Sequence, residues 1–291
     1  MRLKQHFLLL IILPTLLLSL GCTNMFFFPM KEHILSPEKI GLAYEDVYIE
    51  TEDKIKLHGW FLHAKKKPNE TAKATILLLH GNAENISTHI GAVYWLPQEG
   101  FNVFLYDYRG YGKSEGELNI DTAISDVSNV IDGISKRDDV DKSKLIIFGQ
   151  SLGAAIAANA VAKYQTEYNV SALILESGFS DFRKIAKEKL NDSWITWAFQ
   201  WPLSLTITNN YSPAMALSRI SDIPVLIIHG DNDKVVPLKH GRLLYESASQ
   251  PKEMWIVANG KHTASTTKKE YRKKLIRYFS KSTKNHLIKN N

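Results

Sequence analysis

The hydrophobic positions along the chain predict strands of two kinds. Segments 45–51 and 56–64 alternate apolar and polar residues, which is typical of a hairpin with one solvated face. Ile76–Leu79 is a continuous apolar run, of the kind found in a strand that is buried on both faces. Further strands are predicted at 101–107, 144–149, 172–177, 223–230 and 253–258.

Helical patterns separate these predicted strands. One helix is expected from about Asn85 to Gln98, and an alanine-rich helix is expected after Ser151. Between them, apolar residues recur at helical spacing at Ala123, Val127, Val130, Ile131 and Ile134. Strands that alternate with helices predict an α/β fold with a mostly parallel sheet covered by helices on both faces. Ligands bind such sheets beyond the carboxyl ends of the strands, so the residues that follow each strand are the most informative.

One segment interrupts the alternation. No buried strand is predicted between Phe179 and Ile220, and we expect two short helices here, inserted over the strand ends as a small lid at about 179–220. Aromatic side chains crowd into its middle, at Trp194, Trp197, Phe199 and Trp201. They could serve as plain packing or as the ceiling of a pocket, and the sequence leaves both functions open.

The N-terminus has the pattern of a targeting segment. Arg2 and Lys4 precede an apolar run from Phe7 to Leu20, which predicts a secretion signal over residues 1–21. The alternative is an uncleaved membrane anchor, because no acidic residue, lysine or arginine occurs between Lys4 and Lys31. Both alternatives leave the basic residues on the cytoplasmic side and the folded domain outside the cytoplasm, tethered to a membrane.

A single cysteine, Cys22, follows the predicted signal. With only one cysteine, the chain cannot form an intramolecular disulfide. The position of Cys22 directly after Gly21 resembles a bacterial lipobox, and this resemblance implies cleavage before the cysteine and attachment of a lipid to it. The chain is then expected to divide into a tether at 22–40, one α/β domain with the lid insertion at 41–283 and a basic tail at 284–291.

Composition and charge fit a tethered globular domain. The chain has 291 residues, of which 44% are apolar and 23% charged, as expected for one ordinary domain. The net charge is +6, and ten basic residues against one acid lie between Lys261 and Asn291. This basic segment could be the solvated face of a last helix or could contact anionic lipid head groups. It has no interleaved aromatic residues in a recognisable module, so no nucleic acid partner is predicted.

Polar residues follow several of the predicted strands. The segment that ends at Gly153 reads Gly-Gln-Ser-Leu-Gly and places Ser151 between two glycines, which indicates a nucleophile elbow or an ordinary turn. Carboxylates of Asp231 and Asp233 follow a later strand, and His262 follows the last one. The order Ser, Asp, His along one sheet edge is the order of the hydrolase version of the catalytic triad.

Each residue type in this set has a chemical role. A serine hydroxyl is a weak nucleophile, so Ser151 would need His262 as a general base. A carboxylate must orient the imidazole, and we favour Asp233 over Asp231, which directly follows a His-Gly turn and is expected to shape that turn. Glu176, at another strand end, is a third candidate. The backbone amides of Leu152 and Asn82 are expected to stabilise the oxyanion.

The remaining polar motifs predict structural roles. No metal and no cofactor are expected, because His58, His63, His89 and His240 show no metal-ligand spacing. His80 and His229 each precede a glycine and are expected to brace loops. The glycine-rich segment 107–116 lacks the lysine of a phosphate-binding loop, so it is expected to be structural, with Arg109 tying strand ends together.

Five motifs in one order resemble the α/β-hydrolase superfamily. They are LLLHGNAEN, DYRGYGKSEG, GQSLGAA, HGDNDKVVP and GKHTAS, and the similarity runs from about Met25 to Phe279. The resemblance is to a small-lid, membrane-tethered branch related to acyl-protein depalmitoylating and serine-aminopeptidase-like hydrolases. It implies Ser151 as nucleophile, Asp233 as acid and His262 as base, with the amides of Asn82 and Leu152 as oxyanion donors.

The predicted function is therefore a serine hydrolase that cleaves a carboxylic ester or thioester of a small-molecule or acylated substrate through an acyl-enzyme. The alternative is a serine peptidase of aminopeptidase type. It would need an acidic lid residue to hold an amino terminus, and Asp181, Glu188 and Asp192 are available. A non-catalytic scaffold on the same fold is disfavoured, because no member of the predicted triad is missing.

Overall fold

An eight-stranded sheet forms the centre of the domain. The computed structural model describes residues 27–67, 70–191 and 210–290. Within them the sheet has the order β10-β9-β8-β7-β4-β6-β3-β2, with a separate two-stranded pair of β1 and β5. The strands are β1 (Phe28–Pro29), β2 (Tyr44–Glu50), β3 (Lys56–Leu62), β4 (Thr75–Leu79), β5 (Ala83–Glu84), β6 (Asn102–Tyr106), β7 (Leu145–Gln150), β8 (Val170–Glu176), β9 (Val225–Gly230) and β10 (Lys252–Val257). The strands from β10 to β6 run parallel, and β3 pairs antiparallel with both β6 and β2.

Helices cover both faces of this sheet. They are α1 (Ile86–His89), α2 (Ile120–Ser135), α3 (Leu152–Tyr164), α4 (Phe182–Asn191), α5 (Pro213–Leu217), α6 (Leu238–Ser247) and α7 (Lys269–Asn290). Strand β4 shows why two layers are needed: Leu77 and Leu79 pack with α2 and α3, whereas Ile76 and Leu78 pack on the other face with α1 and α7. The predicted α/β fold, a mostly parallel sheet with helices on both faces, is confirmed. The continuous apolar run in β4 follows from this arrangement, since its side chains are buried on both faces of the sheet.

The predicted N-terminal hairpin is confirmed, with one difference. Strands β2 and β3 pair antiparallel from Tyr44–Leu62 to Glu50–Lys56. Only β2 keeps an exposed face, whereas β3 is buried at every position after Lys56. The reason is that β3 also pairs with β6 and is therefore an interior strand of the sheet.

The helix expected from Asn85 to Gln98 was wrong in its extent. Asn85 caps it, since its side chain accepts a hydrogen bond from the amide of Ser87, but α1 ends at His89. Short 3-10 turns at Ile90–Ala92 and Pro97–Glu99 follow. Gly91 and Pro97 interrupt the segment, and both are poor residues for a helix interior.

The expected lid is described only at its two ends. Helices α4 and α5 form these two ends, and the amide of Ala214 in α5 donates a hydrogen bond to the carbonyl of Ser180 before α4 at 3.1 Å. The four aromatic residues Trp194, Trp197, Phe199 and Trp201 lie outside the described residues, as do the predicted signal segment and Cys22. The lid and the domain boundaries therefore remain predictions.

Arg109 connects a helix to the hairpin, which differs from the expected link between strand ends. Its guanidinium donates to Asp126 of α2 at 2.7 Å and to Asp53, in the turn between β2 and β3, at 2.6 Å. Asp126 is buried, whereas Asp53 lies on the surface. The glycine-rich segment 107–116 is thus held by ion pairs within the structure, in line with a structural role.

Candidate active site

Ser151 occupies a sharp turn between β7 and α3. Its backbone has φ 54° and ψ −115°, a left-handed conformation that costs energy for any residue except glycine. The flanking glycines allow the turn to form. A Cβ atom at Gly153 would lie 2.0 Å from the carbonyl oxygen of Leu79, and one at Gly149 would lie 2.4 Å from the carbonyl oxygen of Gly153. The strand-to-helix turn is therefore the strained elbow rather than an ordinary turn.

His262 and Asp233 are joined by a short hydrogen bond. Nδ1 of His262 lies 2.7 Å from Oδ2 of Asp233, and the other carboxylate oxygen accepts from the amides of Val235 and Val236 at 2.8 and 2.9 Å. Burial would raise the pKa of Asp233, but the hydrogen bond from His262 and these amides outweigh it, so the pKa lies below its usual value. An ionised Asp233 fixes the proton of His262 on Nδ1 and leaves Nε2 free to act as a base.

Asp231 is placed differently from Asp233. It is exposed, and its backbone amide donates to the carbonyl of Val257 at 3.2 Å, which fits a turn residue. Asp233 is buried and faces His262. The structure therefore brings the favoured one of the two acids to the histidine.

Ser151 and His262 belong to loops that meet at the end of β8. The amide of Ser151 donates to the carbonyl of Glu176 at 2.9 Å, and the amide of Thr263 donates to Oγ of Ser177 at 3.0 Å. Among the described residues, no hydrogen bond joins the hydroxyl of Ser151 to the imidazole of His262. Such contacts are often long in free enzymes and shorten when substrate binds.

Two backbone amides near Ser151 have no acceptor in the described part of the chain. They belong to Leu152, at the start of α3, and to Asn82, which follows β4. The loop of Asn82 is fixed by Tyr111, whose hydroxyl donates to the carbonyl of Asn82 at 2.6 Å. Gly81 brings this loop close, because a Cβ atom there would lie 3.7 Å from Cβ of Ser151. The loop of Asn82 thus lies close to Ser151, and both amides stay candidates for the predicted oxyanion hole.

His80 and His229 brace loops, as predicted. The ring of His80 stacks on Tyr108 and His89 at centroid distances of 4.1 and 5.0 Å. Burial lowers the pKa of His80 to about 3, so its ring is neutral. Nε2 of His229 donates to the carbonyl of Val236 at 2.8 Å, in the loop that carries Asp233.

One group of possible metal ligands lies outside this site. Among the described residues, His33, His58 and Asp107 place their ligand atoms within 4.8 Å of one another. Nε2 of His33, however, is 2.7 Å from Oδ2 of Asp107. Two ligands of one tetrahedral zinc ion would lie about 3.4 Å apart, given metal–ligand bonds near 2.1 Å. The observed distance is that of a hydrogen bond, so this group serves as a network that anchors the chain before β2.

Sequence reasoning missed two residues that support the site. From the sequence, Tyr111 is only part of a glycine-rich loop, and Glu176 is only a third candidate for the acid. Glu176 lies at a strand end, and this position was the only available signal. Its contacts with residues far away in sequence appear only in the folded chain.

The sequence of this chain matches a known protein family and several known proteins. Residues 70–219 match the family described as serine aminopeptidase, S33. The chain is 34% identical to the protein YfhR of Escherichia coli (strain K12), with 82% of this chain and 79% of that protein covered. It is also 34% identical to the alpha/beta hydrolase domain-containing protein WAV2 of Arabidopsis thaliana, with 75% of this chain and 71% of that protein covered.

A solved structure shares the fold. An esterase of Pyrococcus furiosus superposes with a TM-score of 0.70 and covers 89% of this chain and 98% of its own, at 20% identity. The fold and the elbow thus define an α/β-hydrolase. In particular, the chain belongs to the serine aminopeptidase S33 family, and it is a hydrolase.

Proposed function

We propose that this hydrolase cleaves a carboxylic ester or thioester through an acyl-enzyme on Ser151. The observation that carries the proposal is the 2.7 Å hydrogen bond from His262 to the buried Asp233, at the sheet edge where the strained Ser151 lies. A hydroxyl, an imidazole and an ionised carboxylate at one edge supply the groups that acyl transfer needs.

The proposed reaction has two halves. His262 Nε2 removes the proton of Ser151 as Oγ attacks the substrate carbonyl, and the amides of Leu152 and Asn82 stabilise the oxyanion. His262 then gives the proton to the leaving alcohol or thiol, and the acyl group stays on Ser151. In the second half a water molecule loses a proton to His262, attacks the acyl-enzyme and releases the acid. Asp233 stays ionised throughout and stabilises the protonated imidazole.

The peptidase alternative follows from the family's description, but the described lid acids do not favour it. An aminopeptidase needs a carboxylate free to pair with the substrate's amino terminus. Oδ1 of Asp181 accepts the amide of Lys184 at 2.8 Å, and Glu188 pairs with Lys239 and His240 at 2.9 and 3.1 Å. Both acids are already bound within the protein, and Asp192 lies outside the described residues.

A comparison of substrates tests the proposal. We expect short p-nitrophenyl esters to have a kcat/KM about 100-fold higher than that of aminoacyl p-nitroanilides, because the two described lid acids are already paired within the protein and cannot position an amine. Release of nitrophenol and nitroaniline by the same preparation gives both values. The reverse ranking would favour the aminopeptidase.

We further propose that the N-terminal segment holds the domain at a membrane outside the cytoplasm. Among the described residues, no helix combines the length and apolar character needed to cross a bilayer. The support comes from residues 7–20 in the sequence and from the path of the chain that follows them. Phe28 pairs with Ala83, next to Asn82, and is 63% exposed. Asn85 donates to the carbonyls of Met30 and Glu32, so the tether leaves the domain beside the proposed oxyanion hole.

Replacement of Cys22 tests the form of the tether. If Cys22 carries a lipid, we expect Cys22→Ser to lose the mass of the lipid and to accumulate as an unprocessed precursor or in the soluble fraction. Intact-mass spectrometry and membrane fractionation of both proteins measure this. An uncleaved anchor would give a different result. Both proteins would then have the mass of their full unmodified sequence, and both would be retained in the membrane fraction to the same extent.

A further inference from the structure

A buried carboxylate that the proposed reaction does not use connects the two catalytic loops. Glu176 is the last residue of β8 and is 1% exposed. Its Oε2 accepts a hydrogen bond from Nε2 of Gln150 at 2.7 Å, and its Oε1 accepts one from the amide of Ser265 at 2.8 Å. Gln150 directly precedes Ser151, and Ser265 closely follows His262. One side chain therefore spans the distance between the nucleophile turn and the histidine loop.

The backbone around Glu176 makes the same connection. Its carbonyl accepts the amide of Ser151 at 2.9 Å. The next residue, Ser177, accepts the amide of Thr263 on its hydroxyl at 3.0 Å. The end of β8 thus holds each of the two loops by two hydrogen bonds.

Three of the seven non-glycine residues with positive φ in the described part of the chain lie at these contacts. Ser151, Ser177 and Thr263 have φ values of 54°, 52° and 51°, in the left-handed region that favours glycine. Such conformations persist only where the surrounding structure fixes them, and they are common in active sites. The hydrogen bonds to Glu176 and Ser177 are among the contacts that fix these turns.

The chemistry at Glu176 fits a bridge rather than general packing. Both carboxylate oxygens act as acceptors, as in an ionised acid. Burial raises the pKa of Glu176 above its usual value, and the hydrogen bonds from Ser265 and Gln150 offset only part of this rise. Burial of an acid is costly, and an apolar side chain would fill the same space without that cost. The presence of a buried carboxylate at this position is therefore best explained by its hydrogen bonds to Gln150 and Ser265.

We propose that Glu176 is a positioning residue: it holds the nucleophile turn and the histidine loop at the separation that lets His262 take the proton of Ser151. This inference rests on the proposed function of Ser151 and His262. The carboxylate does not contact the reacting atoms, and it acts through Gln150 and Ser265.

Removal of both arms of the bridge tests the proposal. Methionine is close to glutamate in length but offers no acceptor of similar strength. Glu176→Met therefore leaves the side-chain amide of Gln150 and the backbone amide of Ser265 without their acceptor. We expect kcat for a short p-nitrophenyl ester to fall about 100-fold, the cost of a displacement of roughly 1 Å, while KM changes by less than about threefold. The rate of labelling by a fluorophosphonate should fall with kcat.

A pair exchange provides the rescue. In Gln150→Glu/Glu176→Gln, an amide at position 176 can accept from Ser265 and donate to a carboxylate at position 150, so both hydrogen bonds are retained. We expect kcat within about 10-fold of the wild type. Gln150→Met, which removes only the arm to Ser151, should give an intermediate kcat.

Asp126→Asn provides the matched control for loss of a buried carboxylate. Asp126 pairs with Arg109 away from the site, so its variant should lower the melting temperature and leave kcat near the wild-type value. A folded Glu176→Met enzyme with kcat within threefold of the wild type would overturn the proposal, as would an exchanged pair as slow as Glu176→Met. If Glu176→Met does not fold, a wild-type kcat in Gln150→Met overturns it equally.

The same assays separate this inference from the function beneath it. Wild-type turnover that survives Ser151→Ala would reject the proposed function as a whole. Turnover that depends on Ser151 but not on Glu176 would reject the positioning role alone.

Discussion

Ser151→Ala is expected to reduce kcat for short p-nitrophenyl esters by about 10⁶-fold, the usual cost of losing the nucleophile of such a triad. The variant keeps the amides of Leu152 and Asn82, so a small residual rate above that in water should remain. Alanine differs from serine only by the hydroxyl, and the Ser151 side chain makes no hydrogen bond to another described residue. Thermal unfolding should therefore show a stability close to that of the wild type.

The matched control is Ser180→Ala. Ser180 is also buried near a histidine, with its hydroxyl 3.0 Å from Nδ1 of His240, yet it lies outside the proposed site. Steady-state kinetics of both variants should show a large loss for position 151 only. Equal activity in Ser151→Ala and the wild type would contradict the role of Ser151.

Asp233→Asn is expected to lower kcat by about 10⁴-fold, with little change in the fold. The new side chain can still accept the amides of Val235 and Val236 through its oxygen. Its NH₂ group would face Nδ1 of His262, so the proton of the imidazole would move to Nε2. The ring could then no longer accept the proton of Ser151.

Asp231→Asn is the control for this change, because Asp231 lies two residues away and is exposed. Its kcat should stay within about twofold of the wild type, as expected for a surface substitution. Kinetics at neutral pH and the circular dichroism of both variants measure the two effects. A large loss in Asp231→Asn with none in Asp233→Asn would assign the acid to the other position.

The pattern of the sequence was sufficient to predict the sheet and the edge on which the site lies. Continuous apolar runs such as Ile76–Leu79 occur because these strands bury both faces, and the carboxyl ends of parallel strands meet at one edge. That geometry is why Ser151, Asp233 and His262 could be grouped although they are distant in sequence. The two glycines around Ser151 were equally informative, because close contacts with neighbouring backbone exclude any Cβ there.

Features that depend on long-range contacts could not be predicted. Glu176 and Ser265 are 89 residues apart, and no local pattern records their hydrogen bond. The same holds for His33 and Asp107, which are 74 residues apart. Local propensity also failed for the segment after Asn85, where apolar residues suggest a helix but Gly91 and Pro97 divide it into short turns.

The site of covalent modification by a fluorophosphonate tests the central proposal most directly. The wild-type protein would be treated with the reagent, digested and mapped by tandem mass spectrometry. We predict one adduct, on the Oγ of Ser151, that forms at the rate at which esterase activity is lost and is absent in Ser151→Ala. An adduct on another residue, or full loss of activity with Ser151 unmodified, would contradict the account.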